Sequence, residues 1–343
     1  MANFKSDRLA LRRGRAAARV LCGAGLALMS VSPLQAQQAA PQPATQQTQG
    51  FAVERFYPSA PGGGWFVMDD LNIGGGPGGA VSLTGGYARN PLEVTTPGNT
   101  QQLALVSGES FVNIGAAITY DRFRGYLNIP VPVSVSGNSG TVGPYLLTAP
   151  SVNTGSNPDT ISDPRIGFDA RLYGKPGSKL RLGAGTQLSF PSGNRADYVT
   201  DGRYRAMFRI LMAGDSGRFS YAGQFGLHVR PVESGLPPGG PHGNELLFGA
   251  SAGRRFTVGN GWGAVIGPEL FGETAIHSNS SGQTGFEGLL TGRLERTGDK
   301  PHLRFKLGIG HGLVQSFGAP QWRVLLGVEL VGQRPTASRA ATP

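Results

Sequence analysis

The sequence predicts an all-β fold, a transmembrane antiparallel up-and-down β-barrel of about 12 strands. Three observations carry that prediction. Apolar and polar residues alternate with period two through segment after segment. Each segment runs to about ten residues, the length a tilted strand needs to cross a bilayer. Tight turns alternate with longer loops, the mark of a bacterial outer-membrane barrel, whose periplasmic turns are short and whose outer loops are long.

The stretch Asp163 to Ser192 displays the unit most clearly. Ile166, Phe168, Ala170 and Leu172 share one parity, and Arg165, Gly167, Asp169 and Arg171 share the other. Such sets point to opposite faces of a strand. Leu180, Leu182, Ala184, Leu188 and Phe190 then alternate with Arg181, Gly183, Gly185, Gln187 and Ser189, and Pro176 and Gly177 mark a tight turn between the two limbs.

Taken in order, the chain opens on residues 1–36, which read as a signal peptide. Lys5, Arg8, Arg12, Arg13, Arg15 and Arg19 form a basic region, and Val20 to Val31 an apolar one too short to span as a helix. Leu34-Gln35-Ala36 is a tolerable cleavage site, and Arg12-Arg13 reads as part of an ordinary basic region rather than a twin-arginine signal. Losing six positive residues and one negative takes the formal net charge from +10 to +5, so the basic balance is no sign of nucleic-acid binding. The only cysteine, Cys22, lies in the leader, which leaves neither a disulfide framework nor thiol chemistry.

Residues 37–50, QQAAPQPATQQTQG, cannot build a core and read as a disordered Gln/Pro-rich spacer. Residues 51–79 are an N-terminal lead-in or a lumen plug, with Asp69 and Asp70 expected in a solvated turn. Residues 80–331 are the barrel, and residues 332–343 a polar tail. Strands are expected at 80–94, 102–119, 123–135, 163–173, 180–190, 203–213, 218–230, 244–255, 262–275, 284–296, 302–313 and 321–331. Many of the 55 Gly fall within these alternating segments, which reads as close packing and turns rather than low complexity. No stretch beyond the leader is long and apolar enough for a transmembrane helix. Ser136 to Ser162 is the longest of the outer loops.

The faces follow from parity. Leu303, Phe305, Leu307 and Ile309 face lipid, as do Trp322, Val324, Leu326, Val328 and Leu330. Arg89 and Arg254 break the alternation near strand ends, where a lipid-side charge costs roughly 0–1 kcal/mol rather than the 2–4 of the midplane. Tyr120, Phe123, Tyr173, Phe190, Tyr204, Phe219 and Phe256 mark strand ends as an interfacial girdle would.

Inward parity collects a charged lining. Its cations are Arg124, Arg165, Arg171, Arg181, Arg205, Arg209, Arg230, Arg255, Arg293, Arg304, Lys306 and Arg323. Its anions are Glu109, Asp169, Glu245, Glu269, Glu273, Glu287, Glu295 and Glu329. Glu269 and Glu273 are expected to meet Arg255 or Arg293 across neighbouring strands. Such a lining serves either as a narrow, weakly cationic pore for small polar or anionic solutes, or as a salt-bridged filling that closes the barrel. About eight strands make a filled barrel and 16–18 an open channel, so twelve falls between.

Other chemistries find little purchase. His277-Ser278-Asn279 falls in an expected outer loop, and no motif places an acid to orient a hydrolase dyad there. No spacing resembles a zinc site. The runs Gly62-Gly63-Gly64 and Gly74-Gly75-Gly76 lack the strand-to-helix context of a dinucleotide fingerprint. The reading therefore carries no catalytic residue, no metal and no cofactor.

The segments FAVERFYPSAPGGGWFVMDDL, YARNPLEV, DRFRGYLNIPVPV, SDPRIGFDARLYG, LSFPSGNRADYVTDG and VIGPELFGET together resemble the N-terminal barrel of a myxobacterial-type group of OmpA-family outer-membrane proteins. The likeness runs over most of residues 51–331 and implies a barrel larger than that of enteric OmpA. Relatives carry a C-terminal peptidoglycan-binding domain. The residues after Val331, GQRPTASRAATP, are too few for one, so peptidoglycan anchoring is not expected. A more distant similarity, to MetA proteins of phenol degradation and FadL-type transporters, implies uptake of hydrophobic compounds. The expected partners are outer-membrane lipid, lipopolysaccharide and the barrel-assembly machinery, with no nucleic acid, and the expected state is a monomer in the bacterial outer membrane. A structural or surface-interaction barrel is the alternative to a channel.

Overall fold

A computed structural model describes residues 46–96, 102–151, 161–232, 236, 240, 243–276, 283–296, 302–314 and 316–333. The leader, His277-Ser278-Asn279 and the tail from residue 334 lie outside the described residues.

Twelve strands close into one barrel. In chain order they are β2 (Gly78–Thr95), β3 (Gln102–Tyr120), β4 (Phe123–Ser136), β7 (Arg165–Tyr173), β8 (Arg181–Ser189) and β9 (Arg205–Ser216). The second half is β10 (Phe219–Val229), β11 (Glu245–Gly259), β12 (Trp262–Ala275), β13 (Thr284–Arg296), β14 (His302–Val314) and β15 (Trp322–Gln333). Each pairs antiparallel with the next, and β15 closes on β2 from Trp322 opposite Arg89 to Gln333 opposite Gly78. All the expected strands form. The largest shift is at the end of β11, which runs on from Arg255 to Gly259 past the expected stop. Two tight turns use non-glycine residues at positive φ, Asp121 at 51° and Asn260 at 50°. Short polar side chains tolerate that conformation best.

Parity sorts the two faces as period two demands. Val81, Leu83, Ile114, Phe168, Ile210, Leu290, Ile309 and Leu326 are exposed on the outside. Arg124, Asp169, Arg181, Glu269, Arg323 and Glu329 are buried on the inside. Aromatic pairs flank the outer surface, with Phe123 stacked on Phe168 at 5.7 Å and Phe190 edge-on to Tyr204 at 5.8 Å. Arg254 stays on the outside, its guanidinium 5.3 Å from the Phe256 ring.

Residues 51–77 run inside this wall. The segment has no period of its own beyond a single bridge between Gly64 and Asp69, yet Phe51, Val53, Trp65, Phe66, Met68, Leu71 and Ile73 are almost wholly buried. At one end it meets the long-loop connections. Val53 N–H donates to Tyr198 O (3.0 Å), and Ala52 N–H to Asp201 Oδ1 (2.9 Å). At the other it meets the short turns. Arg171 donates to Ile73 O (2.7 Å), and Gly177 N–H to Asn72 Oδ1 (3.0 Å).

Two expectations change here. Residues 46–50 are not a disordered spacer: β1 (Gln46–Gln47) pairs with β6 (Tyr145–Leu147), which itself pairs with β5 (Gly140–Val142), because the loop hairpin offers β1 a backbone edge. Asp69 and Asp70 do not occupy a solvated turn. Both are buried, because the wall supplies cations to them.

The inward face is also less polar than parity of charge alone implies. Phe111, Leu211, Ala213, Val265, Phe271, Leu289 and Leu325 point inward and pack on Phe56, Trp65, Phe66 and Met68. Glycine makes the room. A Cβ at Gly253 would stand 2.7 Å from the Trp65 ring, one at Gly308 2.9 Å from Phe66, and one at Gly249 would collide with Met68. These inward glycines form a groove that fits the segment.

Candidate functional site

The lumen is the site, and its geometry is that of a charged wall gripping an inner peptide. Of the twenty lining residues singled out by parity, nineteen lie on barrel strands and Arg230 stands one residue past the end of β10, and most have ion-pair or hydrogen-bond partners in or around the lumen. Sixteen are buried, and Arg171, Arg255, Glu295 and Arg304 are partly exposed.

Near the long-loop end, Arg55 of the inner segment lies 3.2 Å from Glu245 and 3.1 Å from Glu273. Glu245 also receives Arg230, which holds Asp201 at 2.7 Å. Arg205 pairs with Asp163 at 2.9 Å. Arg323 forks onto both oxygens of Glu54, at 2.7 and 2.9 Å, and reaches Glu287 at 2.8 Å. Burial opposes ionisation of Asp201, but the guanidiniums of Arg230 and Arg205 outweigh it and hold that loop carboxyl well below the usual carboxylate range.

Deeper in the barrel, Glu269 takes no cation. Its carboxylate accepts the backbone N–H groups of Phe66 (2.9 Å), Val67 (2.9 Å) and Met68 (3.2 Å) and the hydroxyl of Thr291 (2.7 Å). Successive backbone amides turned to one anion form a nest. Arg124 bridges Asp69 and Asp169, while Arg209 meets Asp169 at 3.2 Å and the Tyr126 hydroxyl at 2.8 Å. Lys306 joins Glu329 at 2.8 Å and donates to Trp65 O at 3.2 Å. Arg304 reaches Glu329 at 2.8 Å and Glu295 at 3.1 Å.

Towards the short turns, Arg181 donates to Asp70 O (2.8 Å) and pairs with Asp215 (2.8 Å), which Arg255 also contacts. Arg293 lies 3.8 Å from Asp70 and 3.4 Å from Glu295. The expected contacts of Glu269 and Glu273 with Arg255 or Arg293 therefore do not form. Arg255 and Arg293 both stand opposite Val265, four and eight residues along β12 from Glu269 and Glu273, so Glu273 takes Arg55 and His228 instead and Glu269 takes the peptide nest.

Arg165 stands apart. It donates to Asn113 Oδ1 (3.0 Å) and lies 5.4 Å from the Tyr57 ring. Among the described residues no carboxylate comes within ion-pair distance of it.

Sequence reasoning missed Glu54, Arg55, Asp163, Asp201 and Asp215. Asp163 and Asp215 lie on the inward parity of Arg165 and Ala213, so extending the strand pattern by two residues finds them. Glu54 and Arg55 sit in a stretch without periodicity, and no local signal marks their partners.

His228, Glu245 and Glu273 cluster closely enough to be weighed as a cation site. His228 Nδ1 is 3.2 Å from Glu273 and 3.6 Å from Glu245, but both carboxylates already receive Arg55. The guanidiniums supply the positive charge a metal would bring, so the cluster does not fit one.

Little space remains inside. A cavity bordered by Arg55, Tyr57, Val67, Arg209, Phe271 and Glu273 has a volume of about 20 Å³, room for about one water. Larger concavities of about 590 and 650 Å³ lie on the outer apolar wall, around Leu83, Ile266 and Leu326 and around Phe168, Phe208 and Leu227.

The sequence matches no known family profile, and no curated protein matches it. The OmpA-family and FadL-type resemblances thus gain no support from these comparisons. Among solved structures, the chain is similar to an outer-membrane channel from Pseudomonas putida F1, at 13% identity over 76% of this chain and 98% of that one, with a TM-score of 0.49. It is also similar to the NanC porin, at 7% identity over 74% of this chain and 100% of that one, with a TM-score of 0.43. An anion-selective porin from Comamonas acidovorans aligns at 10% identity over 74% of this chain and 98% of that one, with a TM-score of 0.30.

Proposed function

We propose that the protein is an outer-membrane barrel acting as a narrow conduit for small polar or anionic solutes, closed in the described state by its own residues 51–77. The outer-membrane reading rests on the exterior. A belt of exposed Val, Leu, Ile and Phe circles a closed wall, and an apolar surface of that extent in water would aggregate. In lipid it is the required outer face of a barrel.

The conduit reading rests on one observation, the charge pairing between wall and inner segment. A permanently closed lumen gains nothing from such pairs, since well-packed apolar residues serve as well or better. A lumen that opens needs walls that remain solvated once the segment leaves. The wall keeps internal partners for that state: Arg124 with Asp169, Arg181 with Asp215, Arg323 with Glu287 and Lys306 with Glu329. Arg165 loses its Tyr57 face and keeps only Asn113, which makes it the cation most available to a passing anion.

A reversal-potential measurement across a salt gradient tests this reading on barrels lacking residues 51–74. Anion preference is expected, with Arg165→Glu moving the potential towards cations. Absence of any current in the shortened barrel would leave a structural barrel as the better reading, and an unmoved potential would remove Arg165 from the path.

A further inference from the structure

We infer that the protein threads its N-terminal segment outward through its own barrel and presents the residues around Gln46 to Gly50 on the cell surface. The inference rests on the outer-membrane reading above, with the long loops outside, but the observation behind it is separate. It is the direction of the chain.

Gln46 and Gln47 lie parallel to Tyr145 and Leu146, which belong to the long connection between β4 and β7. Thr48 N–H donates to Leu146 O at 3.2 Å, and Arg195, in the long connection between β8 and β9, donates to Gly50 O at 2.6 Å. From there the chain descends past Arg323, Glu269 and Arg124 to the opposite rim. There Asp121 N–H, in the short turn between β3 and β4, donates to Gly75 O at 3.2 Å. β2 then begins at Gly78 and climbs back, its Thr95 returning to the long-loop end. Residues 46–77 therefore cross the lumen once, against the direction of β2, and Gln46 stands at the long-loop mouth.

The barrel is sealed on its own strand edges and the cavity beside Arg55 and Tyr57 is about 20 Å³, so the lumen as it stands holds this segment with no room for a second. The wall must close around it, with the pairs to Glu54, Arg55 and Asp69 forming as it does. The part that reaches the outer mouth is suited to that passage, because residues 46–50 carry no charged side chain. Charged groups are what a low-dielectric crossing penalises. Gln47 and Gln49 are exposed at the mouth, so the display is open to solvent and to external ligands.

Cysteine accessibility tests the topology in whole cells. The chain's one cysteine is first removed as Cys22→Ala. Single cysteines are then placed as Gln47→Cys, as Thr141→Cys in the long-loop hairpin, and as Lys175→Cys in a short turn, all exposed positions. A membrane-impermeant maleimide is added to intact and to permeabilised cells. The expected result is labelling of Gln47→Cys and Thr141→Cys in intact cells, and loss of Lys175→Cys labelling unless the cells are permeabilised. Should Thr141→Cys label in intact cells while Gln47→Cys behaves like Lys175→Cys, the threading is overturned and the outer-membrane reading survives. Lys175→Cys labelling in intact cells without Thr141→Cys would invert the barrel and overturn the display. Loss of all three signals, with the protein missing from the outer-membrane fraction, would overturn the outer-membrane reading itself and this inference with it. An epitope inserted ahead of Gln46 gives a second readout if the Gln47 variant fails to assemble. Antibody binding to intact cells supports the inference, and binding only after permeabilisation overturns it.

Discussion

At the long-loop end the inner segment is held by charge, and deeper in the barrel it is held by packing. Around Glu54 and Arg55 the side-chain anchors are mainly ion pairs or bonds to ionised groups, on Arg323, Glu245, Glu273 and Asp201, beside the Val53 N–H bond to Tyr198 O and the apolar packing of Phe51 and Val53. Around Trp65 to Ile73 the anchors are mainly apolar, with Leu211, Val265, Leu289 and Leu325 closing on Trp65, Phe66, Met68 and Leu71. The two modes fail differently. Removing one member of a buried ion pair strands the other in a low dielectric, whereas trimming an apolar contact leaves a cavity that neighbours can partly fill. Release of the segment should therefore begin where charge can be altered, at the outer mouth.

The sharpest way to break the outer anchor is Arg230→Met, which leaves Asp201 and Glu245 buried without their main cation. Denaturant unfolding of the detergent-solubilised barrel should register a loss of about 3–5 kcal/mol. The deep anchor is tested by Phe66→Ala. Its expected loss is about 3 kcal/mol, at the low end for buried aromatics because Gly308 and Gly327 line the vacated space. If Phe66→Ala costs more than Arg230→Met, the contrast between the two ends is reversed. Glu269→Gln probes the one place where both modes meet. The amide keeps one acceptor oxygen for the Phe66 to Met68 nest but gives up the charge, for an expected cost of roughly 1.5–3 kcal/mol and faster hydrogen exchange at those amides.

Acid offers a reagent-free version of the same contrast. The Asp201 carboxyl is depressed in the folded state, so its contribution is complete above the ordinary aspartate value near ~4 and fades only as pH falls below it. Protease access to residues 51–54 should stay flat from neutral pH down to about 5 and rise only in stronger acid. A rise near neutrality would remove Asp201 from the tether. Smallest of all is Arg254→Ala on the outer wall, expected to change stability by roughly 0.5–1 kcal/mol because that exposed cation gives up its contact with the Phe256 ring.

The wall was legible in the sequence and its contents were not, and the reason is physical. Leu303 to Ile309 and Trp322 to Leu330 alternate because one neighbour faces out of the barrel and the next faces in, a local constraint that each strand states for itself. The tight turns state themselves as well, through Asp121, Gly177 and Asn260 at positive φ. Residues 51–77 obey no local rule, since their backbone is satisfied by distant side chains such as Glu269, Arg171 and Arg181. Their aromatics signalled burial, and the inward glycines that accommodate them are spread over three strands with no mark of their shared purpose. Parity likewise found the charges on the wall, but it could not assign partners. The register sets Arg255 and Arg293 opposite Val265 rather than Glu269 or Glu273, and the inner segment supplies the partners that parity could not show.

Single-channel current in a planar bilayer, recorded for the intact chain and for the chain lacking residues 51–74 at the same voltage, tests the account most directly. A closed intact barrel and a steady aqueous current through the shortened one is the expected pair of traces. Two flat traces, or two equally conducting ones, would contradict the claim that this peptide is what closes an otherwise water-filled lumen.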